Sequence, residues 1–442
     1  MSVSWWLYKV TTGENNMGFT CKTYIVDSLM GTGKTSAIIN MVKAAPKTEK
    51  FLIITPYLDE VKRYIDSCPD EKFKQPRFDR IKHEGDEEDE FIPKYEDVKR
   101  LLERGENVVC THALFHKFTE ETVSFCKSYG YTLIMDEVAS VIEEWTTTED
   151  DYNNLINTYV TIDEKTRRVS WKEEYSDYTG VFDKYKIACD NGSLASFSNR
   201  FMVWLFPVGV FNAFEKVFIL TYKFEAQLQK YYYDFYDLKY KYLSVEGDSP
   251  DNYKIVEQHN NPPKYDYAKL IHILDNDRMN AIGEIRSALS KTWYDRRKDD
   301  GNVMGLIKNN LWNFFTNIRH GATKDNLWTV FKDNKQKLKG KGYTKGFCPM
   351  NMRATNDFRE RTNVAYIINR YMQPYLKNFF TTANIEVNEE EWALTEMLQF
   401  IWRSAVRDGK EIYLYIPSSR MRDILTEWIA EVSAEYNSNI AR

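Results

Sequence analysis

At 442 residues, with 43% hydrophobic and 28% charged residues, the chain exceeds one ordinary core and reads as two or three globular domains. Its formal net charge of −5 excludes a protein that holds nucleic acid through overall basicity, so any phosphate contact must come from a local basic stripe. Six scattered cysteines without a Cys-x-x-Cys pair exclude a zinc-cluster fold, and no apolar run approaches the ~20 residues of a membrane span, which reads as a soluble, cytoplasmic chain with no membrane partner.

In chain order, residues 1–23 form an N-terminal extension, and "YIVDSLMGTGKTSAIINMV" (24–42) then reads as an apolar strand, a glycine turn and a helix. Backbone N–H groups of such a turn converge on a phosphate, so Gly31, Thr32, Gly33, Lys34, Thr35 and Ser36 form a nucleotide-binding P-loop. The Lys34 ammonium would reach the β and γ phosphates of ATP, and the Thr35 hydroxyl would ligate Mg2+. Ser28 stands where the general pattern has Gly and is still small enough.

"FLIITPYLDEVKRY" (51–64) is a strand closed by Thr55 and Pro56, followed by an amphipathic helix; "NVVCTHALFHKF" (107–118) is a strand ending in Thr111 and His112. His112 and His116 share a helical face, and with no third ligand they suit hydrogen bonding better than metal binding. "YTLIMDEVASV" (131–141) is a buried parallel strand with Asp136 and Glu137 at its C-terminal end, where ligands sit in open α/β sheets. Asp136 would hold Mg2+, and Glu137 would orient the attacking water.

The order Gly-Thr-Gly-Lys-Thr, strand with Thr-Pro, strand with Thr-His, then Asp-Glu-Val-Ala resembles motifs I, Ia, Ib and II of superfamily 2 helicases of the DEAD/DEAH-box type. The resemblance implies an α/β fold of two RecA-like P-loop domains, with Thr55, Pro56, Thr111 and His112 bordering the path of one nucleic-acid strand. The polar, weakly periodic stretch at about 146–200 reads as an inserted, mostly helical subdomain within a first domain at 24–230. "EKVFILTYKFEAQL" (215–228) is again a strand, with Thr221 where the family has its coupling motif. The aromatic run "YYYDFYDLKYKYL" (231–243) suits packing better than base stacking.

A second α/β domain is expected at 245–442, with strands at "LIHIL" (270–274) and "LWTVF" (327–331) and amphipathic helices at "AIGEIRSALSKTW" (281–293) and "NLWNFFTNI" (310–318). From Phe331 onward, Lys332, Lys335, Lys337, Lys339, Lys341 and Lys345 make a positive ribbon; Lys332, Lys339 and Lys341 are candidate backbone contacts. The competing reading of such a run is a solvated face. "MRATND" followed by "VAYIIN" (364–369) resembles motifs IV to V, which would bring Thr355 and Asn356 to the nucleic acid. Gln399, Arg403 and Arg407 recur at every fourth position and predict one helical stripe. This resembles motif VI, whose arginines stabilise charge on the γ-phosphate, although Trp402 replaces its Gly and Arg407 falls one residue late. Arg403 is expected to make the first contact and Arg407 to meet the γ-phosphate.

The resulting expectation is an ATP- and Mg2+-dependent DNA helicase or translocase acting on single-stranded or forked DNA, with RNA not excluded and replication proteins as partners. The combination resembles a bacteriophage-type replication helicase more than a cellular DEAD-box RNA helicase, because the full Asp-Glu-Ala-Asp box and an upstream adenine-reading Gln motif are not recognisable. Two alternatives stand beside it: an ATP-switched nucleic-acid-binding or loader protein that does not unwind, and a small-substrate P-loop kinase, against which the long second half argues.

Overall fold

Short apolar strands alternating with amphipathic helices build a parallel sheet covered on both faces. The computed structural model describes residues 22–81, 90–164, 167–198, 201–257, 262–350 and 357–440. It divides into two compact units: the first holds Met1–Asp27, Gly33–Gln258 and Gln373–Val387, the second Ser28–Thr32, His259–Met372 and Asn388–Arg442. The chain is thus α/β, with parallel sheets flanked by helices in both units.

The first unit is organised on strands β1 (Thr23–Asp27), β2 (Phe51–Thr55), β3 (Val108–Thr111), β4 (Thr132–Asp136), β5 (Lys216–Thr221), β6 (Tyr240–Glu246) and β7 (Lys254–Glu257). They lie in the order β7-β6-β1-β5-β4-β2-β3, parallel except for the edge pair β6 and β7. Ile25, Val26, Ile53, Leu133, Ile134 and Met135 are fully buried, and each such side chain contributes about 1.5–3 kcal/mol of burial. Helices α1 (Lys34–Ala44) and α2 (Leu58–Ser67) follow β1 and β2 and return the chain for the next parallel strand. β7 pairs with β6, so the stretch from 245 to 257, expected at the start of the second domain, completes the first sheet instead. The aromatic run at 231–243 splits into the end of helix Leu228–Phe235 and the start of β6, and Tyr231, Tyr232 and Tyr233 are buried.

The insertion, expected to be mostly helical, contains helices at Glu149–Asn154 and Asp183–Asp190 but holds more strand than the sequence suggested. Ile142–Trp145, Leu194–Ser198 and Phe201–Leu205 form an antiparallel three-stranded sheet, and Val160–Ile162 pairs with Val169–Trp171. These strands escaped notice because they are short and aromatic rather than alternating: Trp145 and Trp204 stack with centroids 6.3 Å apart and planes 9° from parallel.

The second unit is built on β8 (Ile271–Ile273), β9 (Asn326–Thr329), β10 (Asn363–Tyr366) and β11 (Ile412–Tyr415), all parallel in the order β8-β11-β10-β9. The long helix expected over 281–293 does not form; a short turn at Ala281–Gly283 precedes a helix at Lys291–Arg297. Ile285 is 68% exposed, so its place in the apolar period misled. At 310–318 the helix forms, as the end of Gly301–Asn313 and a wider final turn at Phe314–Ile318.

Candidate functional site

The turn after β1 requires glycine at two places. Gly31 has φ 85° and Gly33 φ 90°, a left-handed conformation strained for other residues. Gly33 is also the N-cap of α1, whose first N–H groups have no partner inside the helix. The Thr32 hydroxyl donates to the Leu29 carbonyl at 2.8 Å and tightens the turn. Before it, Asp27 accepts from the backbone N–H groups of Lys223 and Phe224, both at 2.8 Å. Burial raises the Asp27 pKa, opposed by those two bonds and by the charge of Lys34.

Across β5 lies the acid pair. Thr35 Oγ1 donates to Asp136 Oδ2 at 3.2 Å, and Tyr64 on α2 donates its hydroxyl to the same oxygen at 3.2 Å. Burial, reinforced by the Glu60 and Glu137 carboxylates, pushes the Asp136 carboxyl up to about 6, while Arg63 and the Tyr64 hydrogen bond pull it down. Arg63 also reaches the Ser36 hydroxyl at 3.4 Å. Glu137 is left-handed, with φ 76°, and its N–H donates to the Leu220 carbonyl of β5 at 3.0 Å. Its buried Oε2 has no hydrogen-bond partner among the described residues. The fully buried Gln229 holds the following loop, its Oε1 accepting from the Ala139 N–H at 2.9 Å. Tyr64 and Gln229 escaped the sequence reading: one sits on the apolar face of an amphipathic helix, the other beside a run of tyrosines that reads as core.

The strand ends supplied by β2 and β3 lie side by side, with Thr55 opposite Thr111. Thr55 is buried and its hydroxyl donates to the Tyr57 carbonyl at 2.9 Å, so its side chain serves the turn and is not presented for phosphate contact. Pro56 and Thr111 are half-buried. His112 turns toward the acid pair, with Nε2 3.4 Å from the Asp136 carbonyl oxygen.

In the second unit Lys332, Lys339 and Lys341 are exposed, on short helical turns around Lys335–Leu338. Lys335 lies over the Phe347 ring at 4.5 Å and Lys337 pairs with Asp299 at 3.3 Å, so part of the ribbon serves local packing. Thr355 and Asn356 fall outside the described residues. The expected Gln399-Arg403-Arg407 stripe does not form on one helix: α3 (Glu389–Ile401) carries the half-buried Gln399 and stops before Arg403, and Arg407 lies in the turn Ala405–Asp408. Arg403 is 6% exposed and donates to Cys348 Sγ at 3.1 Å, the Pro349 carbonyl at 3.1 Å and the Met350 carbonyl at 2.9 Å. Its guanidinium is therefore committed to protein acceptors. Arg403→Ala should remove the charged donor shared by those half-buried carbonyls and the buried Cys348 and cost about 1–3 kcal/mol, read as a lower midpoint in thermal denaturation. Ser28–Thr32 belong to this unit, and there Trp402 Nε1 donates to the Met30 carbonyl at 3.0 Å. A methyl group on Gly31 would stand 3.7 Å from Arg407 Cγ and from its carbonyl oxygen. Of the two arginines, Arg407 is the one beside Gly31.

Residues 142–204 match the family model described as the YonV middle domain, and residues 265–429 match that of the YonV C-terminal Rossmann-like domain. The chain is 39% identical over 417 residues to the "SPbeta prophage-derived uncharacterized protein YonV" of Bacillus subtilis (strain 168), an alignment covering 92% of this chain and 98% of that protein. Among solved structures, it is similar to S. tokodaii Xpd4, with a TM-score of 0.45 and 11% identity over 96% of this chain and 97% of that one. It is also similar to the DUF1998 helicase MrfA bound to DNA and AMPPNP, with a TM-score of 0.35 and 11% identity over 93% of this chain and 48% of that one.

Proposed function

The chain belongs to the YonV family, and we propose that it is a nucleic-acid-dependent ATPase that converts hydrolysis into movement along a DNA strand, as a helicase or translocase. The observation that carries this reading is the meeting of Thr35 Oγ1 and Asp136 Oδ2 at 3.2 Å, next to a left-handed glycine turn that opens a helix. A hydroxyl and a carboxylate from sequence-distant elements suit Mg2+, which takes one or two protein ligands and completes its shell with phosphates and water. Bound there, the ion would neutralise charge on the terminal phosphates. The N–H groups of residues 31–35 would cradle the phosphates, Lys34 would add its charge, and Glu137 would take the proton of the attacking water.

Arg407 is the arginine we assign to the γ-phosphate. Arg407→Ala should keep ATP binding and lower turnover by about 10³-fold, the lower end of the arginine-finger range; equal turnover in variant and parent would remove the assignment. Thr111, Pro56, the lysines at 332, 339 and 341, and Thr355 with Asn356 are the contacts we assign to the nucleic-acid backbone. The helicase resemblance supports single-stranded or forked DNA as the partner and a replication setting, and the scattered cysteines support the cytoplasm as the location.

A second reading, an ATP-switched loader, uses the same motor motifs without strand separation. ATPase assays with single-stranded, duplex and forked DNA and with RNA, run beside an unwinding assay, decide between them. Stimulation by single strands with unwinding supports the helicase; stimulation alone leaves the translocase or switch. Hydrolysis indifferent to every polynucleotide would overturn the proposal.

A further inference from the structure

Tyr253 stands just before the edge strand β7, and its ring lies against the glycine that opens α1. A Cβ added to Gly33 would fall 2.5 Å from Tyr253 Cε2 and 2.6 Å from Cδ2 and Cζ. The ring is held there by its own turn. Asn252 Oδ1 accepts from the N–H groups of Asp248 and Ser249 at 3.0 and 2.9 Å. Asn40, on α1, donates through Nδ2 to the Pro250 carbonyl at 2.9 Å and the Tyr253 carbonyl at 3.0 Å. The turn from 247 to 253 is therefore clipped to the same helix whose first turn forms the phosphate nest.

Sheet order gives this position a direction. β1 leads into the nest; Asp136, on β4, lies beyond β5 on one side, and Tyr253, leading into β7, lies beyond β6 on the other. A triphosphate whose metal-bearing end faces Asp136 must extend its nucleoside the opposite way, toward the half-buried Tyr253 ring. Resting on the nucleotide-binding reading above, we propose that Tyr253 is the base-contacting residue of this chain, the surface on which the nucleobase of a nucleoside triphosphate stacks. The polar neighbours in sequence are engaged elsewhere: the Asn252 amide spends both its ends within the turn, donating to Asp248 Oδ1 at 2.6 Å as well, and Lys254 pairs with Glu246 at 2.9 Å. Among the described residues these neighbours offer a base no hydrogen bond, and a ring alone accepts any base through its π-face, so the site takes ATP and GTP with little discrimination between them.

Titration calorimetry on the full chain with ATP, GTP and inorganic tripolyphosphate tests the assignment. Tyr253→Leu keeps apolar packing against Gly33 and removes the aromatic face; it should weaken ATP and GTP alike by about tenfold, within the range of base stacking on an aromatic side chain. Tripolyphosphate should bind both proteins equally, and Tyr253→Phe should bind ATP like the parent. ATP affinity within twofold of the parent in Tyr253→Leu would overturn the assignment, as would an equal loss for tripolyphosphate, which would make the ring a support for the loop alone. A parent protein that binds neither ATP nor tripolyphosphate would instead overturn the nucleotide site itself.

Discussion

Lys34→Ala should abolish ATP hydrolysis, lowering turnover by at least about 10²–10³-fold, as removal of one preorganised group at a developing charge does elsewhere. The loss should come without loss of the fold. Lys34 is the first residue of α1, where the helix dipole disfavours a cation, and alanine has the higher helix propensity. The melting temperature should therefore change little, the gain in the helix offsetting the charge lost beside Asp27, while steady-state hydrolysis disappears. Hydrolysis lost while stability holds is the signature of a ligand-facing lysine; a parallel drop in both would point to a structural role. Hydrolysis at the parental rate would remove the phosphate nest from the case altogether.

Glu137→Gln should separate binding from chemistry. The substitution preserves shape and leaves the left-handed backbone as it is, but it removes the group that accepts a proton, a loss of about 10²–10⁴-fold for general-base catalysis. ATP affinity should be unchanged or tighter, because one of two neighbouring carboxylates near the phosphates is gone. Single-turnover hydrolysis measured beside calorimetric binding reads both quantities. Turnover like that of the parent would shift the base to another carboxylate, and Glu60, which already bears on Asp136, would be the next to replace.

The first sheet and its glycine turn were legible because their signals are local. An apolar run, two glycines and a Lys-Thr pair sit within one stretch, and Asp136 closes an uninterrupted apolar strand. What escaped depends on distant partners. Nothing near Thr55 in sequence says that its hydroxyl turns back onto Tyr57, and nothing near Arg403 says that three acceptors at 348–350 await its guanidinium. The stripe of Gln399, Arg403 and Arg407 assumed a helix continuing to 407; the helix ends at Ile401, which breaks the angular spacing the reading relied on. β7 was placed in the wrong domain because edge strands are short and carry no marker of the strand they will pair with.

Parallel neighbours must be joined by a crossover, and the crossover from β4 to β5 carries the whole insertion. The chain leaves for it directly after Glu137 and returns directly before Lys216. Its two stems are bolted together at the base, where the Phe206 N–H meets the Val141 carbonyl at 2.9 Å, and Gln229 anchors the outgoing stem at Ala139. The insertion is thus rooted one short loop from the peptide that aims Glu137, and it is steadied a second time where the Phe197 ring of its sheet rests on Phe379, with centroids 5.9 Å apart.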